Sequence, residues 1–203
     1  MKTLGIIGGT FDPIHYGHLY IAEVAIYKLK LDKVIFMPAG SPPHKENKRV
    51  TEASLRLLMV ESAIKDISGF QVSNYEIEEK GKSYTYKTLE YFSTDNEEIY
   101  FIVGSDGLIN FHTWEEPDKI LKLCTLVVVT RPGFNKEELL KKKTYFEDKY
   151  NGKIIFLEVE GKEISSTEIR NKIKNNENIE KLLPKSVYDI INEKGLYRGG
   201  KFD

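Results

Sequence analysis

Apolar residues along the chain fall into short solid runs separated by stretches with helical spacing. Leu4-Gly5-Ile6-Ile7 is a run without polar interruption and predicts a buried strand over residues 3–8. Residues 17–30 carry Leu19, Ile21, Ala22, Val24 and Ala25 at helical spacing and predict a first helix. Lys33-Val34-Ile35-Phe36-Met37-Pro38 returns to the strand pattern and is stopped by its proline. Strand, helix and strand at this spacing form a βαβ unit, which requires parallel strands and a crossover. The same alternation continues. Leu55, Leu58, Met59 and Ile64 predict one face of a helix that Thr51 can cap. Residues 70–74 read as a strand, 76–82 as a turn or an excursion from the sheet, and 83–92 as a helix. Ile99-Tyr100-Phe101-Ile102-Val103 is apolar on both faces, as central parallel strands are. Gly104 to Gly107 read as a turn after it, and Pro117 opens a short helix before a strand over residues 123–129. A charged helix from residue 135 to about 149, a strand over 154–159 and a final helix over 184–194, closed by Gly195, complete the pattern.

The pattern predicts an α/β protein with a doubly wound parallel sheet flanked by helices. A smaller helical part, about residues 165–197, follows the last strand. No repeat, low-complexity stretch or linker divides the 203 residues, so one domain over 1–203 is expected. The composition, 40% hydrophobic and 30% charged, suits a packed core. A net charge of -1 gives no overall positive field, so no nucleic-acid partner is expected. No apolar run approaches the ~20 residues that cross a bilayer, so no membrane partner is expected either. Cys124 stands alone and excludes an intramolecular disulfide and multi-cysteine metal sites; within Leu123–Val129 it reads as a buried thiol. The N-terminus runs directly into a strand without a signal-peptide pattern, and a reducing cytoplasmic location is expected. Homo-oligomer formation stays open.

Two stretches stand out from the scaffold. Gly8-Gly9-Thr10-Phe11-Asp12-Pro13-Ile14-His15-Tyr16-Gly17-His18 joins a strand, a glycine-rich turn, two histidines and a helix start. Glycines permit close backbone approach, and a helix start attracts anions, so a phosphate site is predicted there. Near the other end, Ile164-Ser165-Ser166-Thr167-Glu168-Ile169-Arg170 places a capping box at a helix start, with Arg170 able to reach back to an anion. A capping box alone is structural; the added Ser, Thr and Arg make a second phosphate site credible. Gly104-Ser105-Asp106 lies at a predicted strand end, where open parallel sheets bind ligands, so Asp106 is a candidate contact. The loop over 39–49 contains His44, Lys45, Lys48 and Arg49 and reads either as a solvated loop or as a phosphate-gripping flap. Trp114, the only tryptophan, reads as core, as a subunit contact or as a ligand platform.

Several chemistries drop out. His15 and His18 have one nearby carboxylate, Asp12, which is too few ligands for a zinc site. No Walker loop, dinucleotide-binding Gly-x-Gly-x-x-Gly or Gly-x-Ser-x-Gly elbow is present. Two anion-binding helix starts suit transfer between two phosphorylated molecules. A phosphate monoester nucleophile is largely ionised at pH 7, since its second pKa is about 6, and requires no general base.

Gly9-Thr10-Phe11-Asp12-Pro13 with His15-x-Gly17-His18, and the Ile164–Arg170 segment, resemble the two signatures of the HxGH nucleotidyltransferase superfamily. Pro42-Pro43-His44-Lys45, Ser83-Tyr84-Thr85, Gly104-Ser105-Asp106, Thr113-Trp114 and Arg131-Pro132-Gly133 extend the resemblance to its bacterial nicotinate-nucleotide adenylyltransferases. That resemblance implies a Rossmann-like fold and the reaction of ATP with nicotinate mononucleotide to deamido-NAD and pyrophosphate, with Mg2+ carried by ATP. It implies ATP contacts at Gly8, Gly9, Thr10, Phe11, His15, His18, Gly104, Asp106, Ile164, Ser165, Ser166 and Arg170, with His15, His18 and Arg170 acting in catalysis. Thr10, His44, Lys45, Thr85, Asp106 and Trp114 would meet the mononucleotide, Thr85 through its backbone and Trp114 by stacking on the pyridine ring. Lys87 stands where the family usually has aspartate, a reversed charge that puts that side chain's polar contact in doubt. The superfamily's phosphopantetheine adenylyltransferases and cytidylyltransferases are the neighbouring alternatives, and a silent nucleotide binder is the alternative from another class.

Overall fold

Six strands form one sheet in the order β3-β2-β1-β4-β5-β6, with every neighbouring pair parallel. The computed structural model describes residues 2–40, 50–79, 82–94, 97–131, 136–161 and 164–199. The first half runs β1 (Lys2–Gly9), α1 (Tyr16–Leu29), β2 (Lys33–Pro38), α2 (Ala53–Ile64), β3 (Phe70–Val72), α3 (Tyr75–Glu78) and α4 (Thr85–Phe92). The second half runs β4 (Glu97–Gly104), α5 (Ser105–Ile109), a 3-10 turn (Phe111–Thr113), α6 (Pro117–Leu123), β5 (Thr125–Thr130), α7 (Lys136–Tyr150) and β6 (Lys153–Glu158). Helices α8 (Ser166–Lys174) and α9 (Lys185–Lys194) close the chain.

The solid apolar runs explain the layering. Side chains alternate across a strand, so Leu4 and Ile6 of β1 enter one core and Ile7 the other. Ile7, Ile102, Val127 and Val129 pack with α1, α2, α8 and α9. Leu4, Ile6, Phe101, Leu126 and Val128 pack with α4, α5, α6 and α7. Both faces of β4 and β5 are therefore covered, as parallel sheets require. The chain leaves β1 toward β2 on one side and returns to β4 on the other. That reversal opens a crevice at the carboxyl ends of β1 and β4, where Gly9 and Gly104 end their strands.

Three local expectations change. Gly104–Gly107 is the start of a short helix rather than a plain turn, with Gly104 as the residue preceding α5. Residues 75–78 form α3, which overlaps the start of the 76–82 stretch read as a turn or an excursion. Thr51 is not the residue that precedes α2; Glu52 is, and Thr51 is buried with its amide turned to Asp12 Oδ2 at 3.3 Å. No helix among the described residues is long and apolar enough to cross a membrane.

Candidate active site

The turn after β1 is built around rings that need room. A Cβ on Gly9 would stand 3.0 Å from the Phe11 ring, tighter than side chains ordinarily pack, so glycine gives that ring room to fold back. Phe11 itself adopts a φ of 50°, in the left-handed region, and is buried against Phe36 and His18. A Cβ on Gly17 would stand 3.0 Å from His15 Nδ1. With glycine there, the His15 ring lies back over the first turn of α1 and stacks on His18, centroids 3.7 Å apart and planes inclined by 22°. The Phe11 ring stands near-perpendicular to that of His18, with centroids 5.0 Å apart. The glycine between the two histidines is therefore a spacing device for an imidazole stack.

Free amides alone do not make this helix start an anion site. Tyr16 N–H donates to Leu182 O, and His18 N–H folds back to His15 O. The imidazoles supply the remaining donors. Nδ1 of each ring is buried without a hydrogen-bond partner, which leaves Nε2 as the atom each ring can present to a ligand. Burial lowers the His15 pKa from 6.5 to about 4, with the Arg131 guanidinium adding to the effect. Burial, and then His15, hold His18 well below the ordinary histidine range. Both rings are neutral at pH 7, and a neutral imidazole protonated on Nε2 still donates one hydrogen bond.

A pH dependence follows. The unfolded chain binds a proton at His15 below pH 6.5, whereas the folded chain resists protonation until about pH 4. Stability is therefore complete above pH 6.5 and falls as pH drops through that window. At 1.36 kcal/mol per unit, His15 accounts for roughly 3 kcal/mol of the loss. A His15→Gln variant should show a shallower decline of melting temperature between about pH 7 and pH 4. An unchanged slope would remove His15 as the cause.

The second motif closes on this turn from across the chain. Ser165 Oγ accepts the Glu168 amide at 3.1 Å, fixing the start of α8 as the capping pattern predicts. Ser166 Oγ donates to Pro13 O at 2.9 Å, spanning 153 residues. Arg170 Nη1 donates to Asp12 O at 2.7 Å and Nη2 to Thr167 Oγ1 at 3.0 Å. Arginine carries five N–H donors, so these two bonds leave three. Ile164 is half-buried against the same core, its carbonyl beside Gly17.

On the other side of the sheet, Gly104 and Asp106 are exposed at the end of β4. Ser105 Oγ donates to Val129 O, tying α5 to β5. Trp114 is half-buried, edge-on to Phe101 at 6.2 Å and tilted to Phe111 at 5.4 Å. Phe101 also fills the space where a Gly8 Cβ would be, 3.2 Å away. One ring thus separates Trp114 from the phosphate-turn strand. Thr85 opens α4, whose first-turn amides have no side-chain cap. Lys87 is exposed, its Nζ 6.0 Å above the Tyr84 ring. Ser83 Oγ receives the Gly40 amide at 3.1 Å, tying the end of β2 to this segment, and Thr88 Oγ1 donates to buried Glu76 at 2.7 Å, tying α4 to α3. Burial raises the Glu76 pKa.

Hydrogen bonds therefore join Asp12, Pro13, Ser166 and Arg170, while ring packing joins Phe11, His15 and His18. Thr85, Gly104, Asp106 and Trp114 flank the same carboxyl edge without a direct bond to the histidine turn among the described contacts. His44 and Lys45 lie outside the described residues. Among the described residues no group of three or more His, Cys, Asp or Glu is placed to hold a metal ion. Cys124 is buried and its thiol is pushed up to about 12, an unreactive state. The sequence pattern did not single out Arg56 and Tyr197, both buried beneath the phosphate turn, and it gave Arg131 no site role, although Arg131 acts on His15.

The cytidylyltransferase-like family pattern matches residues 6–172. A probable nicotinate-nucleotide adenylyltransferase of Clostridium botulinum (strain Alaska E43 / Type E3) is 56% identical over 198 residues, covering 98% of this chain and 99% of that protein. A relative of the same name from Clostridium novyi (strain NT) is 49% identical over 200 residues, covering 98% and 100%. Among solved structures, a Plasmodium falciparum nicotinic acid mononucleotide adenylyltransferase complexed with NaAD superimposes with a TM-score of 0.77 at 23% identity, covering 100% of this chain and 99% of that one. The chain belongs to the cytidylyltransferase-like family of nucleotidyltransferases, in the branch of its nicotinate-nucleotide adenylyltransferase relatives.

Proposed function

We propose that the protein transfers the adenylyl group of ATP to nicotinate mononucleotide, forming deamido-NAD and releasing pyrophosphate. The observation that carries this reading is the joining of the two motifs: Ser166 and Arg170 bond to Pro13 and Asp12 directly beside the histidine stack. The triphosphate lies between the start of α1 and the start of α8. Nε2 of His15 and His18 donates from one side, and Ser165, Ser166 and Arg170 hold the other. The mononucleotide phosphate is mostly dianionic at pH 7 and attacks the α-phosphorus as the bond to pyrophosphate breaks. Catalysis is positioning and stabilisation of negative charge, with no proton to remove. Mg2+ enters with ATP as part of the substrate, since that ion keeps its waters and binds through phosphates.

The nicotinate ring stacks on Trp114, and its carboxylate meets the Thr85 amide. Trp114→Ala should raise KM for nicotinate mononucleotide by about 10- to 100-fold, the scale of a lost base–aromatic stack, and leave KM for ATP nearly unchanged. Equal effects on both substrates would count against stacking. The reaction itself is tested by measuring pyrophosphate release from MgATP with nicotinate mononucleotide, nicotinamide mononucleotide and phosphopantetheine separately. Release with the first is expected. Release with phosphopantetheine alone would move the protein to the neighbouring activity, and none with any would make it a silent binder.

A further inference from the structure

We infer that Arg56 is a positioning residue for adenylyl transfer, holding the Thr10–Asp12 turn, and through Phe11 the His18 ring, in working geometry. Arg56 is only 1% exposed, among the most buried large side chains of the protein. Among the described residues its guanidinium makes no salt bridge; it is spent on backbone carbonyls. Nε donates to Thr51 O at 2.8 Å, Nη1 to Thr10 O at 2.7 Å, and Nη2 to Ala39 O at 2.7 Å and Gly40 O at 3.3 Å. One rigid fork therefore fixes three chain segments relative to one another: the phosphate turn, the end of β2 and the approach to α2.

Asp12 answers it from within the turn. Its Oδ1 accepts the Tyr197 hydroxyl at 2.6 Å and its Oδ2 the Thr51 amide at 3.3 Å, while its carbonyl takes Arg170. Burial, and then Asp12, push the Tyr197 hydroxyl up, so it stays a donor. Between these two anchored residues sits Phe11, with its φ of 50° and its ring packed near-perpendicular to that of His18. Thr10 is held by Arg56 on one side and Asp12 by Tyr197, Thr51 and Arg170 on the other. A backbone in the left-handed region persists only when its surroundings impose it. Arg56 touches neither histidine and no substrate atom is assigned to it, so its effect passes through Thr10 and Phe11.

A merely structural arginine would affect stability alone. The test compares Arg56→Gln, Arg56→Lys and Tyr197→Phe with the parent, well below each melting midpoint. It measures melting temperature, kcat for pyrophosphate release, and the His18 ring-proton NMR resonances in nucleotide-free protein. The ring currents of His15 and Phe11 should displace those resonances. Arg56→Gln is expected to lower kcat about 100-fold, the cost of misplacement on the order of 1 Å, and to move the His18 resonances toward unstacked values. Arg56→Lys keeps the charge but cannot bridge three segments, so it should recover melting temperature more than kcat. Tyr197→Phe should give the same pattern on a smaller scale. A folded Arg56→Gln with kcat within about threefold of the parent, or with unmoved His18 resonances, overturns the inference. If Arg56→Gln does not fold, Tyr197→Phe decides on the same two readouts. The rate measurement rests on the adenylyl-transfer reading, whereas the resonances do not. A parent inactive on nicotinate mononucleotide would therefore sink the function and leave the positioning test standing.

Discussion

Replacing His18 by alanine is expected to lower kcat by about 100- to 1,000-fold, the range for loss of one preorganised donor to developing charge, with the fold intact. The prediction rests on geometry. His18 stacks on the His15 ring and packs near-perpendicular to the Phe11 ring, so its ring is held without reorganisation. Stability should change little. The ring's Nδ1 is buried without a partner, and removing an unsatisfied polar group offsets part of the packing lost. Steady-state kinetics with MgATP and nicotinate mononucleotide, alongside thermal melting, checks both halves. Turnover near that of the parent would end the assigned role for His18.

Arg170→Ala should be comparably severe, lowering kcat/KM for ATP by about 100-fold or more. Hydrogen bonds to a charged group each contribute roughly 1.5–3 kcal/mol, and two are lost even before ATP arrives: to Asp12 O and to Thr167 Oγ1. The donors facing the triphosphate go with them. Arg170→Lys should recover only a small part, since an ammonium cannot reproduce the planar fork. A variant whose KM for ATP and kcat both stay at parental values would show that Arg170 serves packing only.

What the sequence made legible is what depends on neighbours in the chain. Solid apolar runs marked β4 and β5 because a strand covered on both faces has no polar position to offer. Pro117 and Gly195 marked helix ends because their backbone preferences are local, and Gly195 indeed has a φ of 63°. The Gly–Thr–Phe–Asp–Pro and Ser–Ser–Thr segments were legible for the same reason: their glycines and hydroxyls act within a few residues. Long-range partners were not. The 2.6 Å bond from Tyr197 to Asp12 crosses 185 residues and leaves no local trace.

The face of α2 was read in part: Met59 and Ile64 are buried and Leu55 packs half-buried on the core, but Leu58 is not part of it. Leu55, Leu58, Met59 and Ile64 read as its apolar stripe, yet Leu58 is 41% exposed and the buried set is Arg56, Met59, Val60, Ala63 and Ile64. Residues 56, 59, 60 and 63 have the same helical spacing, but a cation at the head of that stripe argues for solvent. Only the four carbonyls that receive it make burial tolerable. Helix α5 escaped notice because five residues containing Gly107 hold too little periodicity to register. Trp114 stayed ambiguous between core and platform, and its half-buried packing on Phe101 and Phe111 serves both descriptions.

The uncharged histidine stack also sets an entry threshold for anions. A cationic pair would attract any phosphate or chloride in the cell. Here, putting a proton on His15 at pH 7 means overcoming a pKa of about 4, a cost of about 4 kcal/mol at 1.36 kcal/mol per unit. On the adenylyl-transfer reading the two rings meet the triphosphate as neutral donors, and preference for a polyphosphate rests on the donors of both helix starts rather than on a resting positive charge.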